Sequence, residues 1–124
     1  MKILTIGDVV GEAGLDALHA LLRRIKRDTV ADFVIVNGEN AAGNGVLPRQ
    51  AEDIFDAGAD VVTLGNHAFG KQQIVPYLDE HSDILRPANL APQSPGQGWG
   101  IFDGPQGSRL LVVDLIGRCD MKYG

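Results

Sequence analysis

Three short clusters in this sequence carry side chains that could do chemistry. Gly7-Asp8, Gly38-Glu39-Asn40 and Gly65-Asn66-His67 each set polar or acidic residues directly after a glycine that closes an apolar run. Asp8, Glu39, Asn40 and Asn66 supply two carboxylates and two carboxamides as hard oxygen donors, and the His67 imidazole adds a nitrogen donor or a proton carrier. That mixture suits manganese, iron or magnesium better than a thiol-seeking metal. Any one cluster alone has an ordinary explanation, because Asp and Asn make turns and cap helices at strand ends. Three in succession, all with suitable chemistry, point to a single site.

For that to hold, the fold must bring the clusters together. Lys2 to Ile6, Phe33 to Val36 and Asp60 to Leu64 are apolar runs rich in branched residues, and each reads as a buried strand ending at one of the clusters. Between the first two, Leu15, Leu18, Leu22 and Ile25 recur at helical spacing, which predicts one buried helical stripe. A second helix is expected from Pro48, a favoured first-turn residue, to a stop at Gly58. A weaker helical segment runs from about Lys71 to Glu80, with Pro76 disturbing it. Strands that are apolar on both faces and alternate with helices specify an α/β fold, a parallel or mixed sheet flanked by helices on both sides. In such a sheet ligands bind outside the carboxyl ends of the strands, where all three clusters emerge.

From Arg86 onward Pro87, Pro92, Pro95 and Gly96 break any long helix, and Trp99 to Phe102 and Arg109 to Leu115 read as strands joined by the DGPQG turn at 103 to 107. Gly117 to Gly124 carries no periodicity. At 124 residues, 44% hydrophobic and 22% charged, the chain is long and apolar enough for one packed core. A formal net charge of −5 gives no broad positive field for holding a nucleic-acid backbone, so no stable nucleic-acid complex is expected. Arg23, Arg24, Lys26 and Arg27 read as the solvated side of the first helix. One cysteine, Cys119, rules out an intrachain disulfide, and the opening MKILTIGD lacks the apolar core of a signal peptide. With no apolar run near the roughly 20 residues that span a bilayer, a cytoplasmic location without membrane insertion is expected.

The motifs GDVVG at 7 to 11, VNGENAAGNG at 36 to 45, TLGNHAF at 63 to 69 and RPAN at 86 to 89 resemble the YmdB-like branch of the calcineurin-like metallophosphoesterases, over nearly the whole chain. That resemblance implies half of a four-layer α/β/β/α fold, two divalent metal ions, with iron or manganese the implied pair, and hydrolysis of phosphodiesters including 2′,3′-cyclic nucleotides. It further implies that Asp8 binds one metal, Glu39 bridges both, Asn40 and Asn66 bind the second, and His67 gives a proton to the leaving oxygen. The oxygen donors alone would also suit magnesium. Most of the wider superfamily has a histidine two residues after the first aspartate; here Val10 stands there, a departure that is itself a feature of the YmdB-like branch.

The family also carries histidine ligands further downstream. By the resemblance, residues 1–124 are therefore the N-terminal portion of a single metallophosphoesterase domain whose C-terminal half is absent, with turnover expected to be impaired in this chain alone. His19 and His81 match no family ligand and read as structural or solvated. Two other readings stand beside the hydrolase: an inactive or partner-dependent half that forms a homo-oligomer, and a nucleotide-binding module without hydrolysis. The glycine-rich GDVVGEAG turn speaks against the last, because Asp8 sits where backbone would have to approach an anionic phosphate.

Overall fold

The computed structural model describes residues 1–119; the last part of the tail without periodicity lies outside the described residues. Chain order is β1 (Ile3–Ile6), α1 (Gly11–Thr29), β2 (Phe33–Asn37), α2 (Pro48–Ala57), β3 (Val61–Thr63), α3 (Ile74–Glu80), β4 (Ile84–Leu85), β5 (Trp99–Asp103) and β6 (Arg109–Val113). The first four strands form a parallel sheet in the order β1-β2-β3-β4, and β5 and β6 form a separate antiparallel pair.

This sheet corrects one expectation. Strands that follow one another across a parallel sheet, joined by right-handed crossovers, must place every helix on the same face. Leu15, Leu18 and Leu22 of α1, Ala51 and Ile54 of α2, and Ile74 and Leu78 of α3 accordingly share one core with Val34, Val36, Val62 and Ile84. Among the described residues, the opposite face has no helix. There Phe33, Val61 and Leu85 pack against Val112, Phe102 and Leu110 of the hairpin, with the Phe33 and Phe102 rings 5.9 Å apart. The layers are helix, sheet and hairpin.

The helical stripe of α1 lies where its spacing predicts, and α2 begins at Pro48. Gln50 Oε1 accepts the Leu47 N–H, satisfying one of the donors that a helix start leaves free. Helix α3 starts at Ile74, later than predicted. Pro76 then falls in the first turn, where the missing N–H costs no hydrogen bond, so it does not disturb the helix.

The hairpin buries only its inner side. Trp99 is 55% exposed, Ile101 50%, Leu111 59% and Val113 47%, and the pairing of Trp99 with Val113 and of Ile101 with Leu111 puts all four on one outer face. Among the described residues, no helix is long and apolar enough to cross a membrane.

Helix α1 ends with Val30 in the left-handed region, φ 55°, at 71% exposure. A β-branched residue is strained there and loses little packing on removal. Val30→Gly is therefore expected to stabilise the protein by about 1 kcal/mol, raising Tm by about 3–6 °C. Thermal unfolding by circular dichroism checks this, and a fall in Tm would contradict it.

Candidate functional site

Each cluster follows directly from the end of a parallel strand, and backbone hydrogen bonds carry the sheet order past those ends. Val9 N–H donates to Asn37 O at 3.0 Å, Gly38 N–H to Thr63 O at 3.0 Å and Gly11 N–H to Asn40 O at 3.3 Å. The three loops are thereby laced together at one edge.

Asp8 adopts φ 37°, a conformation Asp tolerates better than most residues. Its Oδ1 accepts a hydrogen bond from Asn40 Nδ2 at 2.8 Å, across 32 residues of sequence. A carboxylate can only accept, so the amide nitrogen of Asn40 must face Asp8 and its oxygen must face away. That oxygen, Asn40 Oδ1, is buried and has no hydrogen-bond partner among the described residues. Buried acceptors are rarely left so.

The second pairing joins Glu39 to His67. Glu39 Oε2 accepts the His67 backbone N–H at 2.9 Å and also lies 3.2 Å from His67 Nδ1. The Nδ1 contact is close without hydrogen-bond geometry, and that buried atom has no hydrogen-bond partner among the described residues. Asn66 Nδ2 lies 3.4 Å from His67 Nε2, which leaves Asn66 Oδ1 turned elsewhere. Gly65 is required by this packing, because a Cβ there would fall 2.4 Å from Glu39 Oε1. Gly70 is required next to it: a Cβ would fall 2.0 Å from Asn44 O, where the two loops touch.

The structure thus brings all five sequence-predicted residues to one edge as two linked pairs, Asp8 with Asn40 and Glu39 with His67, with Asn66 beside the imidazole. Among the described residues, no group of three or more His, Cys, Asp or Glu side chains is gathered to hold a metal ion. The donors are instead oxygens of mixed carboxylate and amide type, and the orphaned Asn40 Oδ1 is an acceptor that a cation would satisfy. These residues fit part of a hard-metal shell.

Sequence reading missed two contributors. Asn37 Oδ1 accepts the Glu39 N–H at 3.2 Å and fixes the start of that cluster. Asp114 is buried behind the site, its Oδ2 accepting the Leu64 N–H at 3.0 Å. Burial pushes the Asp114 carboxyl up to about 6; the charge of Glu39 pushes the same way, and the Leu64 hydrogen bond opposes them. The available signal is an acid directly after an apolar run, RLLVVD, but it lacks the glycine that precedes the other clusters, and its pattern reads as strand through Leu115.

The remaining motif residues build the scaffold. The buried Arg86 guanidinium donates to the carbonyls of Pro87, Ser94, Pro95 and Gly96, and Asn89 exchanges two hydrogen bonds with the Ile116 backbone. His81 stacks on Tyr77 with ring centroids 3.7 Å apart and His19 is exposed on α1, so neither joins the site.

Comparison with known proteins finds relatives by sequence and by fold. The chain is 38% identical over 119 residues to a 2′,3′-cyclic-nucleotide 2′-phosphodiesterase of Bacillus subtilis (strain 168), a match covering 95% of this chain and 45% of that protein. A Mycoplasma pneumoniae protein named as a phosphatase/phosphodiesterase is 31% identical, over 94% of this chain and 43% of its own. Among solved structures, a hypothetical protein from Thermus thermophilus superposes with a TM-score of 0.88 at 38% identity, covering 98% of this chain and 47% of that one. A phosphatase from Mycoplasma pneumoniae superposes with a TM-score of 0.84 at 29% identity, covering 94% and 43%. The chain spans less than half the length of the curated relatives it matches. The family model described as YmdB-like protein matches residues 4–124, nearly end to end, and the chain belongs to that family.

Proposed function

We propose that this chain carries the N-terminal half of a two-metal phosphoesterase site acting on phosphodiesters of the 2′,3′-cyclic nucleotide class. The observation that carries the reading is the buried, unpartnered Asn40 Oδ1, on an amide whose nitrogen is held by Asp8, together with the contact of Glu39 with His67. Asp8, Glu39, Asn40 and Asn66 would hold the divalent ions, of which iron or manganese is the implied pair and magnesium also suits the oxygens. When bound, such a pair neutralises phosphate charge and lowers the pKa of a water.

The chain's own residues do the rest. Asn40 is held in orientation by its bond to Asp8, and Glu39 by the bond that its backbone N–H gives to Asn37 Oδ1 and the one that its carboxylate accepts from His67 N–H. His67, its Nδ1 edge buried against Glu39, would give a proton to the departing oxygen.

Residues 1–124 would then form the N-terminal portion of a single domain in a cytoplasmic enzyme. The exposed apolar face of β5 and β6 supports this, since such a face is ordinarily covered by a further layer of chain or by a second copy. It is also the one observation that favours the partner-dependent reading.

The test is hydrolysis of 2′,3′-cyclic AMP by the purified protein with Mn²⁺ and with a chelator. Turnover that stops in chelator is expected, at a rate below that of a full-length relative. Hydrolysis that persists in chelator would overturn the metal-dependent reading, and Mn²⁺ binding without hydrolysis would assign the chain the partner-dependent role.

A further inference from the structure

Asp114 is a buried carboxylate that the proposed chemistry does not use, and it bonds to three segments at once. Its side chain accepts from Leu64 N–H, 50 residues away, at the point where β3 gives way to Gly65-Asn66-His67. Its backbone N–H donates to Gly98 O at 3.0 Å, just before β5, and its carbonyl accepts from Ala88 N–H at 2.7 Å, just after β4. Leu64 N–H also donates to Leu85 O at 2.9 Å, so the β-ladder alone already satisfies that donor. The additional acceptor is therefore not needed to complete the sheet. What it adds is a fixed distance between the hairpin and the first residue beyond β3.

We infer that Asp114 is a positioning residue, which sets the Gly65–His67 loop so that the His67 backbone N–H and imidazole meet Glu39. Only Gly65 and Asn66 stand between Leu64 and His67, whose N–H donates to Glu39 Oε2, so a shift at Leu64 is passed directly to that contact. The inference rests on the proposed function only in treating Glu39 and His67 as a working pair; the geometry stands without it.

Amide NMR of the 124-residue chain tests this in Asp114→Ala and Asp114→Asn. Ala removes the acceptor, whereas Asn keeps an oxygen that can face Leu64 N–H. In the Ala variant the Asn66 and His67 amide resonances should move, and His67 N–H should exchange with solvent about tenfold or more faster relative to Val62 N–H in the same sheet. In the Asn variant both should stay at their wild-type positions. Where hydrolysis is measurable, Ala should lower kcat with KM within about twofold, and Asn should restore kcat.

Unmoved Asn66 and His67 amides in the Ala variant, or exchange that accelerates equally across the sheet, would overturn the inference. If the Ala variant does not fold, Asp114→Glu, which displaces the carboxylate by one methylene, replaces it with the same expected and overturning results. A wild-type chain that shows the amide pattern without hydrolysing cyclic nucleotides would refute the functional reading and leave the positioning role intact.

Discussion

Replacing His67 by alanine is expected to cut phosphodiester turnover by about a hundredfold to ten-thousandfold while leaving bound metal unchanged, because the imidazole is assigned to proton transfer and not to coordination. The local structure makes the separation clean. His67 contacts Glu39 through Oε2 only, and the backbone N–H that supplies the firmer of those two contacts survives in the alanine variant. Glu39 therefore keeps its orientation when the ring is gone. The loss should lie in kcat more than in KM, as it does when an interaction is made mainly in the transition state. Steady-state kinetics alongside elemental analysis of the same sample decides the matter; metal lost in step with activity would move His67 from proton donor to ligand.

Glu39→Ala should have the larger effect: loss of bound divalent ion and of hydrolysis together. The Glu39 carboxylate is largely buried, lies against Gly65 and holds the His67 N–H. Its removal deletes two oxygen donors and frees the GNH loop at once. A structural cost accompanies it, since the part-buried His67 N–H loses its acceptor, about 1 kcal/mol. Folding of the variant is therefore to be checked by circular dichroism. A folded Glu39→Ala chain that binds Mn²⁺ as the wild type does would remove Glu39 from the metal site.

Much of this arrangement was legible in the chain itself. β2 and β3 are continuous apolar runs because the sheet is covered there on both faces, whereas β1 at its edge leaves Ile3 and Thr5 exposed, and α1 shows its stripe because only one side of it meets the core. The three clusters stand out because parallel strands deliver their C-terminal ends to one edge, whatever their separation in sequence.

What escaped the sequence did so for physical reasons. Ile84–Leu85 is a two-residue strand, too short for any periodicity, yet it completes the sheet beside β3. That helices cover one face only depends on strand order, which local pattern does not encode. Asp114 belongs to a contact across 50 residues, and its burial is set by the hairpin folding back over the sheet. The pairing of Asn40 with Asp8, which leaves Asn40 Oδ1 without a partner, likewise exists only once the loops meet. The five candidate residues could be named from the sequence; the way they hold one another could not.

The most direct test of the central claim is a Mn²⁺ titration of the isotope-labelled chain followed by amide NMR, with Glu39→Ala as control, since paramagnetic broadening registers even weak binding in a half-built site. Gly7, Asp8, Glu39, Asn40, Asn66 and His67 should broaden first and together, and the selectivity should vanish in the variant. Broadening centred on other acidic side chains, or unchanged by Glu39→Ala, would contradict it.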